Sequence, residues 1–166
     1  MQRRKVHVLL SLGTNLGSKI ENLNIAKKHL SENYISVVKE SKIYETPPWG
    51  FQSANNFYNI VLKVETLLSP FQLLVELKAT ELKMGRPFKT ADSYTSRIID
   101  IDIIDYNSET FKNVDLVIPH PILSERSFVL YPLRDVQVNY VHPITGKTIE
   151  ELIAVLNDKT ATVVNI

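Results

Sequence analysis

Residues 86–106, RPFKTADSYTSRIIDIDIIDY, set two aspartates, Asp100 and Asp102, behind a basic stretch that carries Arg86, Lys89 and Arg97. The isoleucines and Tyr106 make residues 98–106 a strand by propensity and alternation. Successive side chains of a strand point to opposite faces, so Asp100 and Asp102 share one face about 7 Å apart. Ile99, Ile101 and Ile103 occupy the other, and alternation predicts Asp105 among them. Two carboxylates on one face of a buried strand repel strongly unless a cation or a raised pKa relieves them. All-oxygen ligands with room for water suit a hard ion, Mg²⁺ above all, which completes its shell with substrate phosphates. Arg86 and Arg97 supply positive charge on the side a metal would leave uncovered, as anionic phosphates require. An edge strand with solvent-facing aspartates shares the D-x-D pattern, and the flanking arginines shift the balance toward phosphate chemistry. The chain has no Cys and four scattered His, which argues against zinc. On this reading, removing one of two repelling carboxylates should not destabilise the ligand-free protein.

The elements that must hold these residues fit one domain spanning 1–166. With 44 % hydrophobic and 22 % charged residues and a net charge of +1, the chain lacks the basic excess of general nucleic-acid binders. Absence of cysteine excludes a disulfide scaffold and fits a reducing, cytoplasmic setting. The start, MQRRKVHVLLSLG, has a basic end, but its short apolar stretch contains His7 and meets no small-residue cleavage site. It reads as a first strand. No run approaches the 18 apolar residues of a membrane span, so the expected partners are small molecules, with neither nucleic acid nor membrane, and the chain is expected to act as a monomer.

Val6, Val8 and Leu10 alternate with His7, Leu9 and Ser11, and the apolar character of both sets predicts a central strand covered on both sides. A helix follows, with a capping box Ser18-x-x-Glu21 and Leu16, Ile20, Leu23, Ala26 and Leu30 inward. The Gly-rich turn before it lacks the phosphate-loop and dinucleotide spacings. Ile35–Ile43 predicts a second strand and Phe57–Glu65 a third, which places Asn59 on the face of Phe57. An amide offers one acceptor and two donors, a match for the polar edge of a nitrogen heterocycle, although by itself an Asn in a strand is more often a local backbone partner. Between these strands, Pro47 and Pro48 stiffen a loop that carries Trp49 and Phe51, aromatics able to cover a flat ligand or to pin the loop to the core.

Ser69, Pro70 and Gln72 open a second helix, with Phe71, Leu74, Leu77 and Met84 inward and Gly85 ending it. Residues 85–97 then form a long polar, basic loop of the length that binding loops have. Val129, Tyr131 and Leu133 read as extended, and Thr148 with Glu151 caps a last helix.

The motifs YETPPWG, NFYN, GR-x₁₀-R-x₂-DID and PHP-x₄-R-x-F occur in one order over residues 5 to 136, and this set resembles the 6-hydroxymethyl-7,8-dihydropterin pyrophosphokinase family of folate synthesis. The resemblance implies an α+β, ferredoxin-like fold: a mainly antiparallel sheet with helices packed on one face, in agreement with the β-α-β-β-α-β order above. It implies transfer of pyrophosphate from ATP to the hydroxymethyl oxygen of the reduced pterin, giving AMP, with two Mg²⁺ ions on Asp100 and Asp102. Arg86 and Arg97 match catalytic arginines of a loop that closes over the phosphates. His120 and Arg126 match ATP contacts, and Thr46, Pro47, Pro48, Trp49, Phe57, Asn59 and Phe128 match the pterin pocket. The chain departs from the family pattern at Phe88 beside Lys89, where a second loop arginine is usual. It departs again at Tyr94-Thr95-Ser96, where Trp-Gly-Pro is frequent and a more flexible loop is implied, and at Pro121, where an aromatic is common. Another Mg²⁺-dependent transferase on the same sheet, or an RNA-binding module that stacks bases on strand aromatics, would share parts of this pattern.

Overall fold

The computed structural model describes residues 4–86 and 95–166. In chain order the elements are β1 (Val6–Thr14), α1 (Lys19–Glu32), β2 (Ile35–Glu40), β3 (Tyr44–Thr46), β4 (Phe57–Thr66), α2 (Pro70–Lys83), β5 (Asp100–Tyr106), β6 (Phe111–Lys112), β7 (Val117–Ile118), α3 (Ser127–Val136), α4 (Ile149–Ala154) and β8 (Thr162–Val163). The main sheet runs β5-β1-β4-β3-β8, every pairing antiparallel, and β2 pairs β4 ahead of β3. The strand expected over Ile35–Ile43 is therefore two short ones. Ser41 makes the break: its N–H donates to the Val61 carbonyl and its hydroxyl accepts from the Val61 N–H, at 3.0 and 2.9 Å.

The antiparallel α+β class stands, and β1 is the doubly covered central strand its two apolar faces predict. On one face Leu10, Leu12, Leu62, Ile101 and Ile103 pack with Leu23 and Leu30 of α1 and Leu73 and Leu77 of α2. On the other, Leu9, Val61 and Ile104 pack with Leu130, Leu133 and Leu152 of α3 and α4. Helices thus cover both faces, which corrects the expectation of helices on one face alone. The second layer was hidden because residues 129–133 read as extended. Val129, Leu130, Leu133 and Val136 are the buried set, a helical spacing, and α3 keeps it despite the interior Pro132. Its first turn is fastened from a distant segment, where the Asp158 carboxylate accepts hydrogen bonds from the Ser127 N–H and hydroxyl at 2.9 and 2.8 Å.

The second helix starts as expected, with a reciprocal Ser69–Gln72 capping box, but Phe71 is half exposed and Leu73 takes the buried place. In α1 Ser18 is the N-cap without a side-chain bond. Asn22 fastens that turn instead, donating to the Thr14 hydroxyl at 3.0 Å and the Leu16 carbonyl at 2.7 Å.

Strand β5 sits at the sheet edge. Ile99, Ile101 and Ile103 are almost fully buried against α2, each contributing roughly 1.5–3 kcal/mol of transfer free energy. A one-residue slip would bury the aspartates in their place, so the register is firmly specified. Alternation fails once. The register with β1 shifts between Leu9 and Leu10, so that Ile103 opposes Leu10 and Asp105 opposes Leu9. This bulge at Ile104 turns Asp105 to the α3 side, correcting its expected place among the isoleucines. There it accepts from the Ser108 N–H at 2.8 Å and the Tyr140 hydroxyl at 3.3 Å.

Burial pushes the Asp105 carboxyl above its ordinary value of 3.8, against the pull of Ser108, Tyr140 and His142. A carboxyl whose native pKa is raised binds its proton more tightly folded than unfolded, so its contribution is present at acid pH and is lost as pH rises from about 3.8 through the raised native value. Asp105→Asn removes that loss while keeping the acceptor for Ser108. Its Tm gain over wild type should be clearly larger at pH 7.5 than at pH 4, measured by calorimetry, and equal gains at both would contradict the assignment.

Candidate active site

The α3-facing side of the sheet changes character along its strands. In β1 the sequence on that side is Leu9, Ser11, Gly13, in β4 Val61, Asn59, Phe57, and in β5 Ile104, Asp102, Asp100, as the pairings Ser11 with Asp102 and Gly13 with both Asn59 and Asp100 require. The apolar members lie beneath α3 and α4. Beyond the start of α3 the polar members are left open, overhung by Arg126 and Phe128. The result is a cleft enclosing about 540 Å³.

Most of the predicted site residues converge there. Thr46, Pro47, Trp49, Phe57, Asn59, Arg97, Asp100, Asp102, Arg126 and Phe128 all line it, with Ser11, Gly13 and Phe51. Pro48 borders the outer surface of its loop with Phe51 and Gln52. His120 lines an adjoining recess of about 270 Å³ that shares Ser11, Asp102, Arg126 and Phe128 with the cleft. Arg86 is buried behind Asp100. Lys89, Phe88 and Tyr94 lie outside the described residues.

The aromatic end is built by β3 and β4. Phe51 meets Phe57 edge to face, ring centroids 6.1 Å apart. Asn59 donates both amide hydrogens inward, to the Tyr44 carbonyl at 3.2 Å and the Thr46 hydroxyl at 3.0 Å. The amide orientation follows from that network, and it presents the cleft with an acceptor only, a narrower offer than an amide at large makes. Gly13 is needed opposite: a Cβ there would lie 3.2 Å from Asn59 Oδ1. As a glycine at a strand end it gave no sign of this contact.

At the acidic end, Asp100 is gripped from two sides. Arg86 Nη1 donates to Oδ1 and Arg97 Nη1 to Oδ2, the latter at 3.1 Å. Arg86 also pairs at 2.8 Å with Glu81 of α2, whose Oε1 accepts the Ile101 N–H on the outer edge of β5 at 2.7 Å. Gly85, at φ 90°, turns the chain so that Arg86 folds back, its N–H bonding the Glu81 carbonyl. Burial alone would raise the Asp100 carboxyl, but Arg86 and then Arg97 prevail and hold it below its ordinary range. Glu81 is pushed up by burial, with Asp100 adding to the shift. Nothing local marks Glu81 in the sequence, where it is one acidic residue of a helix.

Arg126 lies between two rings, its guanidinium carbon 4.2 Å from the Trp49 centroid and 5.3 Å from that of Phe128. Its buried Nε and Nη2 bond no described residue. Buried charged donors without a partner are costly and mark a place for an anion. His120 Nδ1 accepts from the Ile122 N–H at 3.4 Å. Burial, then Arg126, lower its pKa against Asp102, so at neutral pH the imidazole is uncharged and carries its hydrogen on Nε2.

No group of three or more metal-ligating side chains occurs among the described residues. The donor set, two carboxylates on one strand face beside open space, nonetheless fits Mg²⁺, which draws its remaining ligands from water and phosphate.

The sequence profile described as 7,8-dihydro-6-hydroxymethylpterin-pyrophosphokinase matches residues 9–138. The chain is 40 % identical over 144 residues to the 2-amino-4-hydroxy-6-hydroxymethyldihydropteridine pyrophosphokinase of Aquifex aeolicus, covering 87 % of this chain and 88 % of that one. It is 44 % identical over 142 residues to the folic acid synthesis protein fol1 of Pneumocystis carinii, spanning 86 % of this chain and only 19 % of the fungal protein. The fold is shared with crystallised Plasmodium falciparum HPPK-DHPS at a TM-score of 0.77 and 18 % identity, over 99 % of this chain and 49 % of that one. The chain thus spans about half of that bifunctional protein. Among the described residues no helix is long and apolar enough to cross a membrane.

Asp100 is the partner of two buried guanidinium groups, which overturns the expectation that its loss leaves stability untouched. Asp100→Ala leaves Arg97 without its carboxylate and Arg86 with Glu81 alone, and should cost roughly 1–3 kcal/mol, the upper part of that range being kept for fully buried pairs. Urea unfolding without ligands measures this, and a midpoint equal to wild type would show that the arginines do not depend on Asp100.

Proposed function

The chain belongs to the 7,8-dihydro-6-hydroxymethylpterin-pyrophosphokinase family and transfers pyrophosphate from ATP to 6-hydroxymethyl-7,8-dihydropterin in folate synthesis; we propose the following roles for its residues. The observation that carries the assignment is the order of groups along one cleft: aromatic rings and a single amide acceptor, then two carboxylates, then two arginines and a neutral imidazole.

The pterin lies flat between Phe57 and Phe128, covered by Trp49 and bounded by Thr46, Pro47 and Pro48. Asn59 Oδ1 accepts from its amino edge, the one edge a carbonyl oxygen can read. This places the hydroxymethyl group over Asp102. The triphosphate of ATP runs toward the recess, where Arg126 meets it with its two unpartnered donors and His120 with Nε2–H. Asp100 and Asp102 would hold two Mg²⁺ ions, which would supply charge neutralisation on the phosphates and a lowered pKa for the attacking hydroxyl.

The pterin oxygen attacks the β-phosphorus, the bond from that phosphorus to the α,β-bridging oxygen breaks, and AMP leaves with that oxygen. The hydroxyl proton passes to Asp102 or water, so no tuned general base is required. Most of the work is positioning and cationic charge around the migrating group. Arg97 and Arg86 provide that charge as forks suited to phosphate oxygens. On this reading residues 1–166 act as one domain, a monomer working in the cytoplasm on small molecules.

Incubation with ATP, Mg²⁺ and the pterin should form AMP and no ADP, read by anion-exchange chromatography. Omission of Mg²⁺ should abolish turnover. Arg97→Ala should lower kcat by about 10²–10³-fold with pterin Kd little changed, because its contact is made with the migrating group. ADP as product would refute the reaction, and an unaltered kcat would remove Arg97 from it.

A further inference from the structure

We propose that Asn15 is a positioning residue that couples filling of the pterin pocket to placement of Arg97. The inference rests on the functional reading above and adds to it a line of contact between the two substrates. Asn15 sits in the turn after β1, 1 % exposed. Its N–H donates to the Arg97 carbonyl at 3.1 Å, and its Oδ1 accepts from the Arg97 N–H at 2.7 Å. Its Nδ2 donates to Ser96 Oγ at 3.0 Å and to the Asn55 carbonyl at 3.3 Å. Ser96 Oγ lies 3.1 Å from Ser53 Oγ, which in turn accepts from the Asn55 N–H at 3.2 Å.

These bonds close a ring, Asn15–Ser96–Ser53–Asn55, between two segments far apart in sequence. One is the Pro47–Asn56 loop, whose Pro47, Trp49 and Phe51 line the pterin end of the cleft. The other is Thr95–Arg97, whose guanidinium grips Asp100. The Asn15 side chain uses its acceptor toward Arg97 and its amide donors toward one residue of each segment, Ser96 and Asn55. It therefore joins two segments that flank the cleft. The ring is anchored at buried Asn15, with Ser53 and Ser96 half-buried and Asn55 exposed, and linked hydrogen bonds of this kind respond together, so a shift of residues 53–55 when a ring enters the pocket displaces Ser96 and, through it, the backbone of Arg97.

Reciprocity supplies the test. The Kd of a non-hydrolysable ATP analogue with Mg²⁺ is measured by calorimetry without and with saturating 6-hydroxymethyl-7,8-dihydropterin, in wild type, Ser96→Ala and Asn15→Asp. Ser96→Ala cuts the ring at a half-buried hydroxyl and spares the fold. Asn15→Asp keeps the acceptor for Arg97 and loses the donors to Ser96 and Asn55. Wild type should show a ratio of about fivefold or more, and both variants a ratio near one, with each ligand's Kd alone within about twofold of wild type. A purely structural role would weaken both ligands and leave the ratio. A wild-type ratio near one, or an undiminished ratio in Ser96→Ala, overturns the coupling while AMP formation still stands for the functional reading. A wild type that binds neither ligand overturns that reading and this one together.

Discussion

The charge on Asp100 must be balanced before anything else in the cleft can work. Burial of Ile99, Ile101 and Ile103 on the α2 side fixes which way β5 faces, and the same alternation forces Asp100 and Asp102 out on the other side. At an effective dielectric of about 20, two unit charges about 7 Å apart repel by roughly 2 kcal/mol, whereas an arginine at about 4 Å attracts by roughly 4 kcal/mol. Two arginines on one carboxylate outweigh the repulsion and the desolvation. The depressed carboxyl of Asp100, held down by Arg86 and Arg97 against its burial, carries that outcome.

Glu81 completes the balance. It stands at the far side of Arg86 and also accepts the Ile101 N–H that the edge position of β5 would leave without a partner. One carboxylate thus closes the sheet edge and fixes the arginine behind Asp100. The reach of α3 is the second constraint. Its apolar face covers Leu9, Val61 and Ile104 and stops there, because Asp158 pins its first turn at Ser127. Where α3 stops, the same strand faces become polar, and its leading residues Arg126 and Phe128 are left hanging over them. The cleft is the part of a two-layered sheet that the second layer does not reach.

What the sequence disclosed follows from this division between local and distant causes. The central strand, the Ser69–Gln72 cap and the shared face of Asp100 and Asp102 depend on neighbours a few residues away, and all were legible. The bulge that turns Asp105 depends on its pairing with β1, and the helix at 127–136 on a carboxylate 31 residues downstream. Glu81 and Asn15 owe their positions to residues 20 and 82 places away. Asn59 shows both sides. Its face was readable from spacing, but the loss of both donors to Tyr44 and Thr46 was not, and that loss decides which edge of a heterocycle it can meet.

The ligand-free arrangement also constrains the order of events. Arg86 and Arg97 are committed to Asp100, and phosphate oxygens cannot engage them at full strength while that carboxylate holds them. They can leave only when other positive charge takes their place, since a bare carboxylate beside Asp102 and close to Glu81 would face repulsion from both. Arg86 keeps Glu81 as a second partner throughout and so moves on a short tether. Among the described residues the Arg97 guanidinium has, besides Asp100, the Thr95 carbonyl, and its placement therefore falls to its backbone, which Asn15 grips at both the N–H and the carbonyl.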